Sequence, residues 1–265
     1  MPKPRKQTKQ TQRPTTAWIL SGLVLAGAVG TVAWIGSRHP SRPQLPMTGG
    51  HVLSHTTPTA PTTNQESAEQ FFAWLGQQTN ATGLLNSGTA LLERGRGGQA
   101  VLCYRKALEL KPEDEEAHFN LGVAHARMGQ WPEAEQSYRA ALKLFPEYVE
   151  AHNNLGNLLT RLKRYDEAVA EFSTALQLAP ENASAHNNLG RALAEQGIPA
   201  EALKHFADAA RLDTNYVEAR YNLGSAYLTL GRTNDALAAF NETLRLRPDF
   251  TPAMQAIKRL SRTAR

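Results

Sequence analysis

A single cysteine, Cys103, is all the thiol this chain has, so it holds no intrachain disulfide and no thiolate cluster for zinc or iron–sulfur. The motifs of nucleotide and hydrolase chemistry are missing too: no G-x-x-x-x-G-K-[ST], no H-E-x-x-H and no G-x-S-x-G occurs. Acids are absent from the first sixteen positions, which carry Lys3, Arg5, Lys6, Lys9 and Arg13. Beyond residue 80 it is net charge that is absent, because residues 81–265 hold 22 basic and 22 acidic side chains. The formal charge of +5 therefore belongs to the N-terminus. A neutral body lacks the electrostatic footprint of a phosphate-binding surface, so nucleic acid is not the expected partner.

Charged residues are also absent from Ala17 to Gly36, AWILSGLVLAGAVGTVAWIG. Twenty helical residues span roughly 30 Å, the thickness of a bilayer's hydrocarbon. Trp18 and Trp34 stand near the ends, where indoles prefer the headgroup layer. The five cations before the segment outnumber Arg38 and Arg42 behind it. A single transmembrane helix over 17–36 is predicted, with residues 1–16 cytoplasmic and everything after it across the cytoplasmic (inner) membrane, periplasmic in a Gram-negative cell. A cleaved signal peptide ending near Ala26 and Ala28 is the competing reading, but apolar residues continue through Ile35. Gly22, Ala26 and Gly30 share one face, in the spacing of close helix pairs and of apolar segments generally.

Residues 37–65 contain Pro40, Pro43, Pro46, Pro58 and Pro61 among many Thr and Ser, which reads as a disordered tether. His39, His51 and His55 lie in it without metal-site spacing. Over 66–80, Ala68, Phe71, Phe72, Trp74 and Leu75 predict a short amphipathic helix that caps the region beginning at Ala81.

From Ala81 the chain repeats every 34 residues without gaps: 81–114, 115–148, 149–182, 183–216 and 217–250. Positions seven and eight read Ser87–Gly88, Leu121–Gly122, Leu155–Gly156, Leu189–Gly190 and Leu223–Gly224. Position twenty is Ala100, Ala134, Ala168, Ala202 and Ala236, and position twenty-four is Tyr104, Tyr138, Phe172, Phe206 and Phe240. Position thirty-two is proline at 112, 146, 180 and 248 and Thr214 in the fourth copy. Glycine at position fifteen (Gly95, Gly129, Gly197, Gly231) predicts a left-handed helix cap, which Lys163 makes costlier in the third copy. Ala253, Met254, Ile257 and Leu260 mark the apolar face of a capping helix over 251–265, and Lys258, Arg259, Arg262 and Arg265 its solvent face.

These residues resemble the tetratricopeptide repeat family, over about two thirds of the chain. The resemblance implies an all-α, right-handed superhelical solenoid of five helix–turn–helix repeats, closed by the capping helix and preceded by the transmembrane helix. In this architecture the glycine at position eight admits a neighbouring backbone, and the aromatic at twenty-four fills the space between layers.

The resemblance also implies that first helices line a concave groove at positions two, five, nine, twelve and thirteen. Those positions include Phe119, Arg127, Asn153, Asn157, Arg161, Asn187, Arg191, Tyr221 and Ser225. Phe119 and Tyr221 offer aromatic anchors, and the arginines offer bidentate partners for carboxylates. Position six is asparagine throughout, at Asn86, Asn120, Asn154, Asn188 and Asn222. A carboxamide matches the donor–acceptor pair of a peptide unit. A ladder of them suits the backbone of an extended peptide, similar to the repeats of O-linked N-acetylglucosamine transferases. Asparagine can equally be a residue the family simply favours there, and both readings stay open. With Leu85 and Thr89 at positions five and nine of the first repeat, a dicarboxylate clamp for a chaperone tail is not expected.

His118, His152 and His186 share position four. Stacked helices place equivalent points about 8–10 Å apart, too far for imidazoles that must each bring a nitrogen to about 2.0–2.1 Å from one zinc ion. Packing is expected there, and no ligand-spaced partner for His125 or His205. No metal, cofactor or catalytic set is expected, so the chain reads as no enzyme but a membrane-tethered scaffold for a peptide or protein partner. The second reading is a structural scaffold that assembles with copies of itself as a homo-oligomer.

Overall fold

A computed structural model of the chain describes residues 68–263, with twelve α-helices and no strand among them. The basic start, the apolar segment 17–36 and the tether 37–65 lie outside the described residues, as do the last two residues of the predicted cap. Among the described residues no helix is long and apolar enough to cross a membrane.

A short helix, α1 (Ala68–Gly76), is followed by five hairpins. They are α2 (Ala81–Glu93) with α3 (Gly97–Leu110), α4 (Glu115–Arg127) with α5 (Trp131–Leu144), and α6 (Val149–Arg161) with α7 (Tyr165–Leu178). Then come α8 (Ala183–Glu195) with α9 (Pro199–Leu212), α10 (Val217–Thr229) with α11 (Thr233–Leu246), and the final α12 (Thr251–Thr263). Each hairpin packs on the next in chain order, which makes the body an all-helical solenoid. First helices also touch first helices, α2 on α4, α4 on α6, α6 on α8 and α8 on α10. Second helices have no comparable mutual contact, so the first helices form the inner, tighter side of the curve.

The hairpin follows from side-chain size. A Cβ built on Gly88, Gly122, Gly156, Gly190 or Gly224 would lie 2.6–2.7 Å from the ring of Tyr104, Tyr138, Phe172, Phe206 or Phe240 respectively. Glycine at position eight is thus the socket for the aromatic at position twenty-four of its own hairpin. The expectation was a neighbouring backbone at this glycine and a ring between layers. What comes close is mainly the ring, although at Gly190 the Ala202 carbonyl is also 3.1 Å from the added atom. The five alanines at position twenty are all 0 % exposed, because a larger side chain has no room where second helices meet their neighbours. Thr243 replaces alanine at position twenty-seven and stays buried by returning its hydroxyl to the Ala239 carbonyl at 2.8 Å.

Turns between the two helices of a hairpin need one left-handed residue. Gly95, Gly129, Gly197 and Gly231 supply it at φ 76, 75, 88 and 74°, and Lys163 adopts φ 61° in the third hairpin. At position thirty-four, Asp114 and Asn182 cap the following helix through their side chains, whereas Tyr148, Tyr216 and Phe250 bring rings instead.

The ends are closed by α1 and α12. Phe71 of α1 is buried with Leu84, Leu85 and Tyr104, while its neighbour Phe72 is exposed. On α12, Ala253, Ala256, Ile257 and Leu260 pack toward Phe240, but Met254 is 42 % exposed and leaves the apolar face assigned to it from the sequence. A helix advances about 100° per residue, so Met254 turns away once Ala253 and Ile257 face the core.

Candidate functional site

In the second, fourth and fifth repeats position five of the first helix meets position thirty-four of its own repeat, which changes what the predicted anchors do. Phe119 is 5 % exposed, with its ring centroid 4.8 Å from that of Tyr148. It is a core residue and not the exposed anchor expected, because the ring at position thirty-four gives it an apolar surface to cover. Tyr221 packs against the edge of Phe250 at 5.3 Å and against a tilted Phe240 at 5.6 Å, and keeps part of its surface exposed. In the fourth repeat the same pair is polar: Asn187 Nδ2 donates to the Tyr216 hydroxyl at 3.3 Å.

The asparagines divide into two groups. Asn188 Nδ2 donates to Asn153 Oδ1 at 3.1 Å, and Asn222 Nδ2 donates to Asn187 Oδ1 at 2.9 Å. Position six of one repeat thus ties to position five of the repeat before it. Asn187 and Asn188 are only 3 % and 7 % exposed. For Asn120 and Asn154 the matching position of the preceding repeat is Leu85 and Phe119, side chains that offer no acceptor. Both are half-buried, and no side-chain hydrogen bond engages either among the described residues. Asn157 is half-buried beside them in sequence, and Asn86 is exposed. The predicted ladder is therefore two interhelical latches toward the C-terminal end and open carboxamides toward the N-terminal end.

Of the arginines, Arg161 lies 4.5 Å over the Trp131 ring, and Arg127 Nη1 donates to the Leu92 carbonyl at 3.4 Å, at the end of α2. Arg191 is exposed on the inner helix α8. Trp131 is no candidate in the sequence because it lies on a second helix; its contact with Arg161 is visible only once the hairpins stack.

Position four has a role the sequence did not reveal. His118 Nε2 lies 3.1 Å from the Pro112 carbonyl, His152 Nε2 2.9 Å from that of Pro146, and His186 Nε2 3.1 Å from that of Pro180. A carbonyl only accepts, so Nε2 carries the proton in each. Where the fourth repeat ends in Thr214 instead of proline, Arg220 replaces histidine and donates to that carbonyl through Nε and Nη2 at 3.1 and 2.8 Å. The histidines are ties to the inter-repeat turn.

With Nε2 so occupied, Nδ1 points across the hairpin to position twenty-three. His152 Nδ1 meets Glu171 Oε2 at 2.6 Å; this hydrogen bond raises the His152 pKa, against the lowering by burial. His186 Nδ1 meets His205 Nδ1 at 3.1 Å, and burial first, then the His186 charge, lowers the His205 pKa. His205 thus has a partner at ligand spacing, contrary to expectation. The partner lies within the hairpin rather than at an equivalent position of the next repeat. Cys103 is fully buried, and burial pushes its thiol up to about 12, which leaves no thiolate for chemistry.

Family models match most of the repeated region. Models described as tetratricopeptide repeat match residues 124–183 and 164–217, and 193–260, and one described as TPR repeat matches 88–129. The chain belongs to the tetratricopeptide repeat family. No family of enzymes is indicated. No curated protein matches the chain. Among solved structures this TPR chain is similar to YrrB, described as a TPR protein with an unusual peptide-binding site, at 26 % identity and TM-score 0.58, covering 71 % of this chain and 96 % of that one. It is similar to pilF of Pseudomonas aeruginosa at 26 % identity and TM-score 0.61, covering 65 % and 79 %. The fold is shared with MamA (41-end) from Desulfovibrio magneticus RS-1, at 22 % identity and TM-score 0.60, covering 64 % and 96 %.

Proposed function

We propose that this TPR protein is an adaptor that receives an extended peptide, or an extended segment of a partner protein, along its inner face. The reading rests on one observation: Asn120 and Asn154 present half-exposed carboxamides, not engaged among the described residues, on successive inner helices. A carboxamide can donate to a peptide carbonyl and accept from the next amide. Asn157 and the exposed Arg191 extend the same inner surface, with Arg191 suited to a carboxylate. The likeness to YrrB supports the class of ligand. The finer part of the proposal is that residues 17–36 tether the repeats to the cytoplasmic membrane on its far side. A tether confines the search for a partner to the membrane surface and raises effective concentration there.

A displayed random-peptide library selected against the full chain tests the groove. Each carboxamide contributes about two hydrogen bonds of roughly 0.5–1.5 kcal/mol. Enriched peptides are expected to bind the Asn120→Ala/Asn154→Ala protein about tenfold or more weakly, with helicity unchanged. Undiminished binding rejects the groove, and enrichment of no peptide beside concentration-dependent self-association supports the homo-oligomeric scaffold instead. Protease access in sealed spheroplasts tests the tether: repeats digested from outside are expected, and protected repeats reject it.

A further inference from the structure

The fourth hairpin brings three metal-ligating side chains together. His186 on α8 and His205 and Asp208 on α9 each offer one ligand atom, all within 4.8 Å of one another, and all three residues are half-buried. His205 and Asp208 are three residues apart and so share a helix face. His186 comes from the antiparallel partner, which makes the set a bridge across the hairpin.

The hydrogen-bonding geometry prepares these atoms. His186 gives its Nε2 proton to the Pro180 carbonyl at 3.1 Å, so in the neutral ring Nδ1 is a bare lone pair aimed at His205. A backbone acceptor that fixes the tautomer and orientation of a histidine is the usual outer support of a metal ligand. The Nδ1–Nδ1 separation is 3.1 Å. Two nitrogens at about 2.0–2.1 Å from a tetrahedral ion lie roughly 3.3 Å apart, so the two Nδ1 atoms already have the spacing, and each ring has only to turn its lone pair toward an ion set off the line between them. Asp208 Oδ1 accepts from Arg211 at 3.0 Å, which leaves its second oxygen for an ion. When both rings are neutral, the hydrogen bond between the two Nδ1 atoms is made with the proton of His205.

We propose that His186, His205 and Asp208 form a binding site for a divalent transition-metal ion of the zinc class. The ion replaces the His205 proton between the two Nδ1 atoms, and His205 carries it on Nε2 instead, so no net proton is released from the neutral rings. Two imidazoles and one carboxylate leave a fourth position for water. The site pins α8 to α9. It is independent of the inner peptide face.

The test is titration of the full, chelator-stripped chain with Zn2+ alone, read by calorimetry and by competition with a chromophoric indicator, with Co2+ absorption as a second readout. The histidines of residues 37–65 are present in every protein compared, so the difference between variants reports the site. One Zn2+ equivalent is expected in the parent and in His118→Gln, where position twenty-three is Ser137. His205→Gln is expected to lose that equivalent, and Asp208→Asn to weaken it tenfold or more, with unchanged far-ultraviolet circular dichroism. Should His205→Gln fold poorly, Asp208→Asn, a change at a partly exposed carboxylate, carries the decision. Equal Zn2+ binding by the parent and Asp208→Asn, or no saturable equivalent in the parent, overturns the proposal.

Discussion

In the third hairpin, positions four and twenty-three hold His152 and Glu171, joined at 2.6 Å; in the fourth they hold His186 and His205, 3.1 Å apart. The backbone delivers the same two sites to the same gap in both. In one, the Glu171 carboxylate accepts from Nδ1 of a protonated ring whose Nε2 already donates to Pro146. In the other, two imidazole nitrogens meet, and a carboxylate one turn on, Asp208, faces the same gap. The inner face repeats the contrast, since Asn188 bonds Asn153 of the preceding repeat while the position matching it for Asn154 is Phe119, which offers no acceptor. The turns differ too, with Lys163 at φ 61° against Gly197 at φ 88°. A repeat fixes distances, and the residues placed at those distances decide whether a site is closed on itself or open to a ligand.

The largest effect expected is transplantation of the open site. Position twenty-six is Asp208 in the fourth repeat and Thr174 in the third. Glu171→His/Thr174→Asp should therefore give the third hairpin a Zn2+ equivalent absent from the parent, counted in the same titration. A double variant that binds no more Zn2+ than the parent would show that position alone does not make the fourth site.

Next in size is the glycine socket. Gly156→Ala places a Cβ 2.7 Å from the Phe172 ring. Overpacking of this kind costs about 1–3 kcal/mol, against a helix-propensity gain of about 1 kcal/mol. A net loss of up to about 2 kcal/mol is expected in urea unfolding. Gly190→Ala should lose more, because the Ala202 carbonyl, a backbone atom that cannot swing aside, adds a contact at 3.1 Å. In a Phe172→Leu background the Gly156→Ala penalty should disappear or reverse; the same loss in both backgrounds would place the conflict elsewhere than the ring.

Much of this architecture is written in the 34-residue register, because glycine, alanine and aromatic at fixed offsets leave one way to nest two helices. The left-handed turn at Lys163 is legible for the same reason, as an exception to a glycine column. The pairings between columns are not. Phe119 looks like an inner-face anchor until Tyr148, at the far end of its own repeat, is seen to cover it. His205 looks isolated until α9 folds back on α8, since 19 residues separate it from His186. Asn188 and Asn154 are indistinguishable in the asparagine column, and only the residue at position five of the repeat before separates a latch from an open carboxamide. Register predicts which residues are equivalent; contact depends on which residue faces each of them.

A smaller change is expected at the third turn. A non-glycine residue in the left-handed region is disfavoured by about 1–2 kcal/mol, and glycine adds chain entropy in the unfolded state worth roughly 0.5–1 kcal/mol. Lys163→Gly should therefore stabilise the chain by about 0.5–1 kcal/mol, seen as a higher urea midpoint. Gly197→Lys, the reciprocal change in the fourth hairpin, should lower it.

The smallest effect is the pH dependence of the latch between His152 and Glu171. The Glu171 carboxylate raises the His152 pKa above its ordinary value of 6.5, against burial. A group whose folded pKa lies above its unfolded one binds more protons when folded. Its contribution is fully present below about pH 6.5 and is lost as pH rises through the folded value. Glu171→Gln keeps an acceptor for Nδ1 and removes the charge. In chelator-treated buffer the variant should be less stable than the parent at about pH 5.5, with the gap closing by about pH 8.5. A gap independent of pH would mean that His152 is held by shape and neutral hydrogen bonding.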